Sequence, residues 1–213
     1  MVKLLIFDMD GTLIDTDEVL FKTRSELFRL YKPKDYVIDR EMIRGFSGPP
    51  VEESIHRAFP EKDPDFILKE YRKRTAKYYD SDLTFFPHEK EILVALYKEG
   101  LILTISTSKN RPMSLKCLEI LGVKDLFSMM ITSSEPLPHK PDPASLFKIM
   151  ETYKIKKEEA LMIGDTGFDA LAAKNAGIKS VLLRLVPRIY EKDKMPDYFV
   201  DSYDELYELI HKI

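Results

Sequence analysis

Two carboxylates one residue apart, Asp8 and Asp10, follow directly on an unbroken apolar run, Leu4, Leu5, Ile6 and Phe7. Such a run is the pattern of a strand buried on both faces, and the end of a central strand is where open α/β sheets collect their chemistry. Gly11 and Thr12 then turn the chain away. Two acids there need a shared counter-charge, and Mg2+, which prefers hard oxygen ligands, is the simplest. From this stretch alone an acidic turn that merely closes a buried strand stays open as the alternative. Polar residues end three later apolar runs as well. Thr107 and Ser108 follow LILTIS and could donate hydroxyls to an anion. Lys140 stands in PLPHKPDP, where Pro141 and Pro143 restrict the backbone, and its neighbour His139 reads as an exposed side chain. Asp165 and Asp169 bracket the turn after LMIG, and a helix cap accounts for one of them but leaves Asp165 unexplained.

These residues meet only if the elements between them put every strand end on one edge of a sheet. Strands are expected at 101–106, 129–132, 161–163, 180–183 and 198–200, after the first at 4–7. Helices are expected at 88–99 with Ile92, Leu93, Leu96 and Tyr97 inward, and at 113–121, 144–153, 169–176 and 203–211, the last capped by Asp201 or Ser202. Gly100, Gly122 and Gly177 close three of them. Repeated strand–helix units specify a mostly parallel sheet with helices on both faces, an α/β Rossmann-like core. Residues 15–84 break the rhythm. Val19, Leu20, Thr23, Leu27 and Leu30 describe a helix over 17–31, and a short helical stretch around Met42 and Ile43 breaks at Gly45. The loop GFSGPP follows, then a helix over 51–59 and another opened by Asp63 and Pro64 that runs through Phe66, Leu68, Tyr71, Thr75 and Tyr79. A helical insertion leaving the sheet just behind Asp8 and Asp10 is a candidate lid, the alternative being a helical layer over a sheet face.

With 44% hydrophobic and 32% charged residues in 213, the chain can bury a core. Its 33 basic and 36 acidic residues nearly balance, which argues against nucleic-acid or anionic-membrane partners. Cys117, between Leu115 and Leu118 in a helical pattern, reads as a buried, inert thiol. No apolar stretch approaches the ~20 residues that span a bilayer and no signal-peptide pattern leads the chain, so a cytoplasmic protein is expected. A Walker loop and a Cys/His cluster for zinc are both missing from the sequence. A phosphoacceptor signalling domain combines similar acids, hydroxyl and lysine, but it needs neither the insertion nor the GDTGFD turn.

Taken in order, DMDGT behind a hydrophobic strand, Thr107 after the second strand, the Lys140–Pro141 pair and GDTGFD resemble the four motifs of the haloacid-dehalogenase-like phosphohydrolases. The branch they resemble carries a helical cap and includes phosphoglycolate phosphatases and beta-phosphoglucomutases. The resemblance implies a catalytic core of residues 1–14 and 85–213 with an inserted cap of 15–84. It implies Asp8 as nucleophile, Asp10 as general acid and base, and Thr107 and Lys140 around the phosphoryl group. Ser108 stands at a substrate contact where relatives often have asparagine. Mg2+ would be held by the Asp8 carboxylate, the Asp10 backbone carbonyl and Asp165, with Asp169 behind them. The implied substrate is a small phosphorylated metabolite, a phosphoglycolate-like or sugar phosphomonoester, with pyrophosphate hydrolysis or mutase chemistry as alternatives and a monomer or small homo-oligomer as the assembly. Mutases of the branch look like they need a basic residue where GFSGPP has Gly48 and Pro49, and Arg44 just before that loop is the cap residue best placed to meet a substrate anion.

Overall fold

Leu4–Phe7, each fully buried, form β1 near the middle of a six-stranded sheet in which every neighbouring pair is parallel. The other strands are β2 (Ile102–Ser106), β3 (Phe127–Ile131), β4 (Ala160–Gly164), β5 (Lys179–Leu183) and β6 (Tyr198–Val200). Their order is β3-β2-β1-β4-β5-β6. The chain thus builds outward from β1 on one side and then crosses to build outward on the other. The ends of β1 and β4 flank the crevice where that order reverses, the usual ligand position in open α/β sheets. Phe7 is in register with Ile105 of β2 and Ile163 of β4, so Asp8 emerges level with the ends of both.

The computed structural model describes residues 1–46, 49 and 51–213. The expectation placed on Gly48 in GFSGPP therefore lies outside the described residues. The chain divides into two units, Met1–Ile14 with Phe85–Ile213, and Asp15–Thr84.

In the first unit the helices are Glu89–Lys98, Arg111–Leu121, Ala144–Tyr153, Gly167–Ala176 and Tyr203–Lys212, here α5 to α9. Side chains alternate across a strand, so Leu4 and Ile6 share one face with Ala160 and Met162, and there pack against Leu146 and Ile149 of α7 and Ala172, Ala173 and Ala176 of α8. Leu5 and Phe7, equally buried, take the opposite face. Burying a side chain of this size contributes roughly 1.5–3 kcal/mol, so the four of β1 anchor the sheet strongly. Asn110 caps α6 by accepting from Met113 N, and Ser202 rather than Asp201 caps α9 by accepting from Glu205 N. Cys117 is buried, and burial pushes its thiol up to about 11, as an inert core thiol requires. Tyr97, expected inward, is instead 47% exposed: α5 buries Glu89, Leu93 and Leu96, a stripe spaced by four and three, and Tyr97 lies a further 100° round the helix.

The second unit is helical: α1 (Asp17–Tyr31), α2 (Arg40–Arg44), α3 (Val51–Ala58) and α4 (Pro64–Asp82). Leu27, Phe28, Ile43, Ile55, Phe59 and Ile67 form its core. Arg24, buried among them, donates to the carbonyls of Ile43 at 2.7 Å and Phe46 at 3.0 Å and so ties the chain beyond α2 to α1. The buried stripe of α4 is Ile67, Tyr71, Thr75 and Tyr79, so Phe66 is exposed, and Leu30 falls at the edge of the α1 stripe and is exposed too. Asp15 N donates to Thr84 O at 3.0 Å, which closes the two ends of the insertion on each other. Among the described residues no helix is long and apolar enough to cross a membrane.

Candidate active site

β1, β2 and β4 are adjacent, so the residues that follow them converge although they stand about a hundred and fifty positions apart at the extremes. Lys140, from the segment between β3 and α7, reaches into this convergence with its side chain only 4% exposed. Its ammonium donates to Asp8 Oδ1 at 2.8 Å, Asp169 Oδ1 at 2.5 Å and Ser106 O at 2.9 Å. An ammonium has three donors, and all are used. Burial works against the charge on Lys140, but the Asp169 and Asp8 carboxylates outweigh it and hold the lysine above its ordinary value. For Asp8 burial is the larger influence and Lys140 only partly offsets it, so the carboxyl is pushed up to about 6.

The turn after β4 supplies the other two acids. Asp169 closes the first turn of α8, its Oδ2 accepting from Thr166 N at 3.0 Å and Thr166 Oγ1 at 2.7 Å, while Oδ1 faces Lys140. A Cβ on Gly164 would lie 2.3 Å from Asp169 Cγ, so the glycine that opens GDTGFD is required by the closeness of that aspartate. Asp165 is fully buried. Arg188 Nε donates to its Oδ2 at 2.7 Å, and its Oδ1 has no partner. Burial pushes Asp165 up to about 7 against the pull of Arg188. Gly11 crosses directly over this pair with φ +80°, and a Cβ there would stand 2.2 Å from Asp165 Oδ2 and 2.8 Å from Arg188 Nη2.

Asp8, Asp165 and Asp169 each offer an oxygen within 4.8 Å of the others. A hard divalent cation fits this set. The donors are carboxylate oxygens, one buried oxygen is orphaned, and among the described residues the three carboxylates pair with two cations, Lys140 and Arg188. The Asp10 carboxylate lies outside the set, because Lys109 Nζ holds both its oxygens, at 2.7 and 2.8 Å. Thr107 is buried beside β3, its N donating to Ile131 O at 3.0 Å and its hydroxyl accepting from Lys109 N at 3.2 Å. Half-buried Ser108 lines a recess with Thr107, Thr132, Lys140 and the exposed His139.

Asp8, Asp165, Asp169 and Lys140 are thus brought into direct contact or close proximity, with Thr107, Ser108 and Asp10 at the neighbouring strand ends. Arg44 belongs to the helical unit, where its Nε and Nη2 grip the two oxygens of Asp17 at 2.9 and 2.8 Å. Sequence reasoning missed two cations. Lys109 directly follows the two hydroxyl residues already singled out, and that adjacency was a usable signal. Arg188 lies in the irregular 184–197 connection between β5 and β6, where no periodicity or motif marks it.

The sequence model of the haloacid dehalogenase-like hydrolases matches residues 5–183. Over 211 residues, 98% of this chain and 97% of the other, the sequence is 30% identical to the protein named pyrophosphatase PpaX from Halalkalibacterium halodurans. It is 28% identical over 214 residues to pyrophosphatase PpaX from Bacillus cereus, covering 98% of this chain and 96% of that one. Among solved structures, the haloacid dehalogenase-like family hydrolase SP0104 from Streptococcus pneumoniae superposes with a TM-score of 0.84 at 25% identity, covering 98% of each chain. With the whole strand order, the four acidic and basic motif positions and these end-to-end matches in agreement, the chain belongs to the haloacid dehalogenase-like hydrolases and is an enzyme of the phosphatase kind within that family.

Proposed function

We propose that this enzyme hydrolyses a small phosphorylated compound through an aspartyl phosphate on Asp8, with Mg2+ as the cation held among Asp8, Asp165 and Asp169. The observation that carries the reading is the Lys140 ammonium between Asp8 and Asp169 beside a carboxylate oxygen that has no partner. When bound, the cation would neutralise phosphoryl oxygens and draw them toward the strand ends.

Lys140 fixes Asp8 through Oδ1, which leaves Oδ2 to attack phosphorus in line. The bond from phosphorus to the leaving oxygen breaks as the new bond to Asp8 forms, and Asp10 gives its proton to that oxygen. Asp10 then takes a proton from water, whose oxygen attacks phosphorus and returns Asp8 as a carboxylate. Thr107 offers a hydroxyl donor to the transferring group and Lys140 a nearby positive charge, where negative charge builds in the transition state. Lys109 sets the orientation of the Asp10 carboxylate.

All of these groups address the phosphoryl end of a substrate. The insertion begins at Asp15, five residues after Asp10, and we assign to it the choice of leaving group. Two substrate classes follow from the supporting facts: a phosphomonoester, from the motif set, and pyrophosphate, from the names of relatives matched over nearly their whole length. A panel of phosphomonoesters and pyrophosphate, assayed for released phosphate with Mg2+ and with chelator, tests the reading. Multiple turnovers that need the cation and vanish in D8N support it. A single stoichiometric burst that leaves a lasting phosphoprotein would instead favour a phosphoacceptor domain.

A further inference from the structure

Asp165 is the one acid of the cluster whose cation partner comes from outside the four motifs. Arg188 holds it at 2.7 Å, with the arginine side chain 8% exposed and the aspartate fully buried. Charge decides what can coexist there. With every group ionised, Asp8, Asp165 and Asp169 exceed Lys140 and Arg188 by one negative charge. Adding a divalent cation while Arg188 stays would leave an excess positive charge in a desolvated pocket, with a guanidinium pressed against the ion. Exchanging Arg188 for the cation leaves the same pocket neutral, and a buried site strongly prefers neutrality.

Geometry points the same way. The guanidinium lies against Gly11, where an added Cβ would come within 2.8 Å of Nη2, so Arg188 fills the space between the first-strand turn and Asp165. The connection that carries it is anchored on both sides: Val186 is buried, and the Tyr190 ring packs edge-on against Phe199 at 5.1 Å. Further on, Lys194 abuts Gly167 and Phe168 at the start of α8. Arg188 can therefore leave by side-chain rotation without the connection coming away.

We propose that Arg188 is a tethered competitor of the divalent cation at Asp165, so that cation binding displaces its guanidinium toward solvent. The inference rests on Asp165 being a cation ligand, and the experiment separates the two. Mn2+ binding is measured by the electron paramagnetic resonance of the free ion for the wild type, R188Q, R188K and D165N. R188Q should bind Mn2+ about tenfold tighter than wild type, the worth of one charge-assisted hydrogen bond, and R188K should stay within about threefold of wild type. Unchanged or weaker binding by R188Q, with D165N impaired, overturns the competition and leaves Asp165 as a ligand. Wild-type affinity in D165N overturns both. Should R188Q fail to fold, phenylglyoxal labelling of the wild type, mapped to Arg188 by peptide mass spectrometry, decides the matter: saturating Mn2+ should speed it severalfold, and an equal or slower rate overturns the proposal.

Discussion

The ammonium of Lys109 bonds both carboxylate oxygens of Asp10, at 2.7 and 2.8 Å, although the two residues are 99 positions apart. A side chain held by both oxygens cannot rotate freely, so whatever proton Asp10 moves is moved from a fixed place. Lys109→Met removes that hold while keeping most of the apolar stem. It should lower kcat for the best ester by roughly tenfold to a hundredfold, within the range that positioned acid–base catalysis contributes, and leave the circular dichroism spectrum unchanged. A kcat equal to wild type would show that Asp10 is positioned by something else.

Asp8 and Lys140 are expected to fail in different ways. Asp8→Asn removes the proposed nucleophile but keeps shape, so the protein should melt within a few degrees of wild type and show no turnover. Lys140→Met leaves Asp8 and Asp169 buried and without their shared cation, a loss worth about 3–5 kcal/mol for a broken buried pair. Its thermal midpoint should therefore drop by many degrees. A K140M protein as stable as wild type would mean that the two acids go neutral without cost.

Gly11→Ala introduces one carbon, into a left-handed backbone position and into the Asp165 oxygen. The strain and the clash fall on the carboxylate cluster proposed to hold the cation, not on the sheet, so the sheet should persist while Mn2+ affinity falls at least tenfold. Titration of Mn2+ into G11A and wild type checks this, and equal affinities would show that the turn shifts without disturbing Asp165.

Glu89, 1% exposed in the first turn of α5, has one oxygen accepting from Phe86 N and the other without a partner. Burial pushes its carboxyl up to about 8 from an ordinary 4.5. Between those values the folded chain keeps a proton that the unfolded chain has released, so this residue's contribution to stability falls as pH rises through that window. Glu89→Gln, neutral at every pH, should be more stable than wild type at pH 8 by on the order of 4 kcal/mol, with the gap closing toward pH 5. Urea denaturation of both proteins at the two pH values measures it, and a gap that does not change with pH would place the titration elsewhere.

Local pattern determined much of this protein. The apolar run before Asp8, the glycine stops after Leu121 and Ala176, and the spacing of apolar residues in each helix act over a few neighbouring residues, so they are legible one stretch at a time. The turn GDTGFD was readable for the same reason, since Gly164, Thr166 and Asp169 satisfy one another within a single turn. Tyr97 and Phe66 mark the limit of that reading: an apolar residue at the margin of a stripe is buried only as far as a neighbouring element covers it, and Phe66 stays about half exposed although the Tyr31 ring meets its edge. The pairing of charges across the sheet lay wholly beyond local pattern. Whether Lys140 met solvent or three acceptors, which of many lysines reached Asp10, and that an arginine from an irregular connection would close on Asp165 all depend on the strand order and on which buried carboxylates lack water to solvate them. Desolvation makes those acids demand cations, and only the tertiary structure decides which cations are within reach.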